Sequence, residues 1–291
     1  MATIQDLLAN DTSAASQSTQ YVNTVEAYDK WAEVYDTDGN FLQRLDTIEM
    51  RSLLPRFLDC VKTHVQDQSE TGTSKPSLVD LGCGTGRNTI QLLDILSANK
   101  TDTFNVVGLD ASPGMLEVAR GAIKEYATKR EIPQEVSLGI IDLLQPVSLP
   151  HLPPSLGKGA AGVISTLVLE HIPLALFFVA ASAIMRPGGY LLVTNMHAEM
   201  GMRSQAGFTD PQSGVKIRPT SYCHTIPEVL EAAQDAGFSV QEISGASENG
   251  DHGDGVLVRG VDESLGLVLG PRAKKWVGVK VWFGVCFRKT S

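Results

Sequence analysis

The chain has 291 residues, enough for one elaborated domain with a sizeable core. Its net charge of −9 opposes non-specific binding to nucleic acid, whose affinity comes mainly from Lys and Arg on phosphates. Cys60, Cys83, Cys223 and Cys286 are scattered and form no Cys-x-x-Cys pair, which points to neither a disulfide framework nor a zinc site.

Residues 1–20 are rich in Ser, Thr, Ala and Gln and read as a flexible arm, so that 21–291 form a single domain. Val25, Tyr28, Trp31, Ala32 and Tyr35 recur at helical spacing and predict a helix over 21–36. Leu53, Leu54, Phe57, Leu58 and Val61 predict a second over 46–66, with Pro55 inside it. From Leu78 a strand–helix alternation begins. Strands are expected over 78–81, 106–109, 136–141, 160–165 and 190–194, and helices over 88–96, 115–128 and 174–185. Repeated βα units imply a parallel sheet covered by helices on both faces. Arg186-Pro-Gly-Gly189 is expected to close the last of these helices.

The alternation breaks after Asn195. Residues 196–225 are too long for an ordinary connection and are expected to fold as a cap, with a strand at 221–225. A helix over 227–237 starts with Pro227 and ends at Gly237. Strands near 239–243 and 277–288 bring the total to seven, separated by a glycine-rich acidic stretch with room for one short helix. Arg272, Lys274, Lys275 and Lys280 cluster near the C-terminus and read as a solvated face. No apolar run approaches the ~18 residues of a membrane helix, and no basic segment followed by an apolar run opens the chain. The cytoplasm is the expected compartment.

The most informative stretch is Ser77-Leu-Val-Asp-Leu-Gly-Cys-Gly-Thr-Gly-Arg-Asn-Thr89. It reads as strand, glycine loop and helix start, the arrangement that offers bare backbone and free N–H groups to a nucleotide-like ligand. A dinucleotide fingerprint would need its third glycine at position 87, where Arg87 stands. The pattern Asp80-x-Gly82-x-Gly84-x-Gly86 instead resembles motif I of the class I S-adenosylmethionine-dependent methyltransferases. The resemblance spans roughly residues 25 to 245. It implies a Rossmann-like, seven-stranded, mostly parallel α/β sheet, with 21–66 as an N-terminal helical lid and 196–225 as a cap insertion after the fifth strand. It also implies S-adenosylmethionine as cofactor, with Asp80, Gly82, Cys83, Gly84, Gly86 and Asn88 around its ribose and amino-acid part.

Asp110 ends the second strand about 20 residues beyond the loop, where a two-oxygen acceptor suits both ribose hydroxyls. Its alternative role is a helix cap, but Ser112, followed by Pro113, is the better cap. Leu109-Asp-Ala-Ser-Pro-Gly-Met-Leu116 is itself a frequent form of the family's second motif, and puts Ala111, Ser112 and Met115 at the adenine edge. In the same family the segment Ile141-Asp142-Leu143 receives the adenine amino group and sandwiches the ring; a turn cap is the alternative for Asp142. Asn-Pro-Pro-Tyr, frequent after the fourth strand in enzymes acting on DNA bases or protein amides, is absent. Ser165-Thr-Leu-Val-Leu-Glu-His171 resembles the small-molecule branch, including quinone and secondary-metabolite enzymes. The resemblance puts Ser165 and Thr166 against the cofactor, Ser165 through its backbone, and reads His171 as structural. Tyr28 and Tyr35 resemble the pre-domain tyrosines that reach the cofactor carboxylate; for Tyr28, stapling of the helix is an equal alternative.

The cap holds Met200, Arg203, Phe208, Arg218 and Tyr222, a mix of apolar walls and few polar groups that suits a small-molecule acceptor. His197 and His224 are candidate bases for an acceptor proton, each with packing as its alternative. The function expected is methyl transfer to a small molecule, on the oxygen of a phenol or carboxylic acid. Transfer to nitrogen or carbon, or a relative that binds the cofactor without transferring methyl, stands as the alternative. No metal, nucleic-acid or membrane partner is expected, and the chain is expected to act as a monomer or homodimer.

Overall fold

A computed structural model describes residues 3, 19–67, 75–98, 104–132, 134–145, 152–243, 251–253 and 255–290. Most of the predicted 1–20 arm lies outside the described residues. Its last part does not: β1 (Thr19–Tyr21) pairs with a strand of the cap.

α1 (Thr24–Trp31) is shorter than the predicted 21–36 helix and starts where the Asn23 side chain accepts from the Glu26 N–H, satisfying a donor otherwise unpaired at a helix start. α2 (Phe41–Asp67) begins before the predicted 46 and runs through Pro55. Its apolar face, Leu53, Leu54, Phe57, Leu58 and Val61, is buried on the sheet. Each such side chain contributes about 1.5–3 kcal/mol on burial.

The alternating core follows as predicted: β2 (Ser77–Leu81), α3 (Arg87–Ala98), β3 (Asn105–Asp110), α4 (Pro113–Arg130), β4 (Val136–Ile140), β5 (Ala160–Thr166), α5 (Leu174–Ile184) and β6 (Met185–Met196). The five strands are parallel, and β2, wholly buried, reads as a continuous apolar run around Asp80. Ser112 caps α4 by accepting from Met115 N–H at 3.0 Å, with Pro113 at the first position. Arg186-Pro-Gly-Gly189 does not close α5. It runs as the irregular start of β6, which pairs with β5 from Met185 onward.

The cap comprises α6 (Ala198–Gly201), β7 (Phe208–Thr209) and β8 (Lys216–Arg218), with β1, β8 and β7 forming a small sheet. The predicted strand at 221–225 is reduced to an isolated bridge between Tyr222 and Thr3. α7 (Ile226–Asp235) opens with a reciprocal capping box between Thr225 and Glu228. β9 (Phe238–Val240), β10 (Asp251–Gly253), β11 (Val256–Gly260), α8 (Glu263–Leu269) and β12 (Lys280–Lys289) complete the described elements.

The main sheet has nine strands among the described residues, ordered β10-β11-β12-β6-β5-β2-β3-β4, with β9 on the end of β12. The two beyond the expected seven are β10 and β11, in the stretch predicted to hold only a short helix. β11 earned no strand assignment from its short apolar run; its pairing with β12 decides it. α2, α3 and α4 cover one face, and α5 and α7 the other. From β2 the chain turns to β3 on one side and later to β5 on the other. That reversal opens a crevice at the carboxyl ends of these strands. No helix among the described residues is long and apolar enough to cross a membrane.

Candidate active site

A cleft of about 720 Å³, counted to its open mouth, lies in this crevice beneath α1. That is within the range of small-molecule sites. Tyr28, Tyr35, Gly82, Gly84, Asp110, Ala111, Ser112, Ile141, Asp142, Leu143 and Thr166 all line it, as expected of a single site. The glycine loop is pinned to β3: the N–H groups of Gly82 and Cys83 both donate to Leu109 O. A Cβ on Gly84, at φ +53°, would meet nothing within 4 Å and would stand in the cleft. Asp110 is oriented by two backbone donors, Gly84 N–H to Oδ2 at 2.8 Å and Ser112 N–H to Oδ1 at 2.9 Å. Burial pushes its carboxyl up, against the pull of those two hydrogen bonds. Asp142 Oδ1 accepts from Leu144 N–H at 3.0 Å.

Six predicted residues stand behind the walls rather than in the cleft. Ser165 Oγ–H donates to Leu81 O, tying β5 to β2. Met115 is fully buried among Ala27, Trp31 and Phe208, and so anchors α1 instead of an adenine edge. Cys83 is buried, and Gly86 has α4 against it, a Cβ there lying 3.2 Å from Ile123 Cδ1. Asn88 donates to Thr166 Oγ1 at 2.8 Å and to Asp46 Oδ2 at 3.3 Å. Asp46 is the centre of a network that sequence reasoning missed, because its partners come from distant segments.

Asp80, the sixth, is buried under the loop. Thr89 Oγ1–H donates to its Oδ2 at 2.6 Å, while Oδ1 has no partner among the described residues. Burial pushes this carboxyl up to about 6, against the Thr89 hydrogen bond. The folded chain therefore holds the proton more tightly than the unfolded chain, where an Asp titrates near ~3.9. The stability this gives is complete below about pH 4 and is lost as pH rises through about 6, worth about 3 kcal/mol in all. Urea unfolding of the ligand-free protein across this range should show the decline, and Asp80→Asn should flatten it. Parallel pH profiles of the two proteins would contradict the assignment.

Neither of the two predicted bases lines the cleft. His197 caps α6, its Nδ1 accepting from Glu199 N–H at 3.1 Å, and it lines no described cavity near the cleft. His224 is buried; its Nε2–H donates to Leu169 O and Ile172 O, both at 3.0 Å, clamping the 3-10 turn Leu169–His171. The histidine in the cleft is His171, read from sequence as structural. Thr220 O can only accept, so His171 Nδ1 carries the hydrogen it receives at 3.0 Å. Nε2 faces Tyr28 Oη at 2.7 Å and Glu170 Oε1 at 3.3 Å. Burial pushes the Tyr28 and Tyr35 hydroxyls above the usual tyrosine range.

The predicted acceptor residues are dispersed. Phe208 stacks on Trp31 at 5.0 Å, and Tyr222 stacks on His224 at 5.6 Å. Arg203 is exposed and pairs with Glu199. Arg218 reaches Gln205 Oε1 at 3.5 Å. Met200 lines a second cavity bordered by α1 and the Leu169–His171 turn.

A parallel sheet with a glycine loop after its first core strand and an acid at the end of the next defines an α/β enzyme of the nucleotide-binding type. A family model described as a methyltransferase domain matches residues 78–189. An uncharacterized methyltransferase of Emericella nidulans is 55% identical over 271 residues, covering 91% of this chain and 91% of that protein. Among solved structures, magnesium protoporphyrin IX methyltransferase of Synechocystis PCC 6803 with bound S-adenosylhomocysteine matches with a TM-score of 0.49 at 16% identity, over 91% of this chain and 95% of that one. An S-adenosylmethionine-dependent methyltransferase of Methanosarcina mazei matches with a TM-score of 0.49 at 12% identity, over 75% and 94%. The chain belongs to the class I S-adenosylmethionine-dependent methyltransferases.

Proposed function

We propose that this methyltransferase acts on the oxygen of a small molecule, a phenol or a carboxylic acid, in cytoplasmic biosynthetic metabolism. Residues 21–291 then form one catalytic domain, alone or as a homodimer, with 21–66 as lid and 196–225 as cap. The lining of the cleft suits the cofactor. Asp110 keeps lone pairs for ribose hydroxyls beyond those used by Gly84 and Ser112. Asp142 would take the adenine amino group, with Ile141, Leu143 and Ala111 against the ring. Gly84 leaves room where a Cβ would intrude, and the Tyr35 hydroxyl remains a donor for a carboxylate, while Tyr28 Oη–H is given to His171 Nε2.

The cofactor supplies a methyl group already activated on a sulfonium. What remains for the chain is to hold and align the acceptor, exclude water and receive a proton. Alignment contributes up to about 7–11 kcal/mol in favourable systems, and a general base about 10²–10⁴-fold. The observation that carries the oxygen reading is the Glu170–His171–Tyr28 trio, which provides a buried place for a hydroxyl proton. His171 Nε2 is the nitrogen positioned to receive it, since Nδ1–H is committed to Thr220 O.

Calorimetric titration with S-adenosylhomocysteine should show binding where NAD shows none, and Asp110→Ala should weaken it about tenfold or more. Unchanged affinity in a variant that still melts cooperatively would overturn the assignment of the cleft. Mass spectrometry of the methylated product should find an ether or ester.

A further inference from the structure

The second cavity, about 630 Å³, backs onto the same two elements as the first. α1 gives Tyr28 to the first and Trp31 to the second; the Leu169–His171 turn gives His171 to the first and Glu170 to the second. Trp31, Phe41, Met196, Met200 and Trp276 make its walls apolar, with the Phe41 and Trp276 rings stacked at 6.2 Å. Glu170 is only 5% exposed, and its Oε2 has no hydrogen-bond partner among the described residues. A buried carboxylate oxygen left without a donor is costly, so this is where a ligand hydrogen is most favourably received.

The cavity also gathers cations. Arg272 and Lys275 line it from the 3-10 turn Pro271–Trp276. Arg218, on β8, reaches the lining residue Gln205, and its Nε is buried without a partner among the described residues. Lys216, on the same strand, is held below the ordinary lysine range by burial and then by Arg218, Lys275 and Arg272. The lining carboxylate Asp38 is occupied, accepting from Trp31 Nε1 at 3.1 Å and Asn40 N–H at 2.9 Å. Two cations thus line the cavity, and two more from a segment far away in an acidic chain stand close enough to feel them.

We propose that this cavity holds the methyl acceptor, and that the acceptor is an organic anion: a flat apolar body with a hydroxyl toward Glu170 and a carboxylate toward Arg272 and Lys275. This deepens the proposed function and rests on it for the identity of the cavity's occupant as acceptor. p-Coumarate has this layout. Cinnamate lacks its hydroxyl, and methyl p-coumarate lacks its charge. Titrated by calorimetry with and without S-adenosylhomocysteine, p-coumarate should bind saturably, and each analogue about tenfold or more weaker. Lys275→Glu should abolish the preference for acid over ester while leaving S-adenosylhomocysteine affinity unchanged, which also verifies the fold. Glu170→Gln should reduce the preference for p-coumarate over cinnamate. No saturable binding to the wild-type protein, or an ester that binds as well as the acid, would overturn the proposal. Failure of S-adenosylhomocysteine to bind the wild-type protein would instead strike the assignment of the first cleft, and the titrations without it would still read the second.

Discussion

Asp46→Ala is expected to lower the unfolding free energy by about 3 kcal/mol, the low end of what removing one partner of a buried ion pair costs. Asp46 has no exposed surface. Its Oδ1 accepts from Thr194 Oγ1 at 2.5 Å and Trp282 Nε1 at 3.0 Å; its Oδ2 accepts from Arg87 at 2.9 Å and Asn88 Nδ2 at 3.3 Å. One side chain on α2 thereby joins β6, β12 and the start of α3. The low end applies because Arg87 is partly exposed and keeps Thr47 Oγ1 at 2.8 Å, and Asn88 keeps Thr166. Thr194 and Trp282 are wholly buried and lose a partner outright. Asp46→Asn should recover only part of the loss, because its amide nitrogen would face donors. Urea unfolding at unchanged m reads both variants. A loss below about 0.5 kcal/mol, the range of ordinary surface substitutions, would show that the network holds nothing.

The glycine loop should separate folding from binding. Gly84→Ala is expected to fold, with a backbone cost of about 1–2 kcal/mol for its left-handed φ, and to lose S-adenosylhomocysteine binding. Its methyl group meets no protein atom within 4 Å and occupies the cleft. Gly82→Ala is expected to cost about 2–4 kcal/mol, because its φ of +76° is equally unfavourable and its Cβ falls 2.3 Å from Val168 Cγ2. Val168 is β-branched and stiff at χ1, so it yields poorly. Thermal melts beside calorimetric titrations distinguish the two. Wild-type affinity in Gly84→Ala would remove the cleft from consideration as the cofactor site.

Much of this was legible in the linear chain where the physics is local. Buried strands read as short apolar runs, so β2, β3, β5 and β6 fell within a few residues of their predicted bounds; β4, an edge strand only partly buried, did so through its alternating Val136, Leu138 and Ile140. Ser112 with Pro113 announced the start of α4. Gly82, Gly84, Asp110 and Asp142 reach one cleft because each sits at the carboxyl end of a neighbouring strand, a consequence of parallel topology. The β10–β11 hairpin escaped because only β12 gives its short, glycine-flanked run a register.

The sequence by itself determined the fold class, the cofactor family and the strand-end residues of the cleft, since these depend on spacing along one βα unit at a time. Tertiary structure alone decided which titratable side chains face the cleft. His197 and His224 look as suitable as His171 in one dimension; their roles differ because a backbone N–H, two carbonyls, and a tyrosine beside a glutamate happen to stand next to them. The same holds for Asp46, whose donors lie up to 236 residues away, and for Arg272 and Lys275, which read as a solvated surface until the fold set them against Lys216 and Arg218. A charge or a proton is governed by what lies within a few ångströms of it, and in a chain closed by long-range strand pairing that neighbourhood is not written nearby.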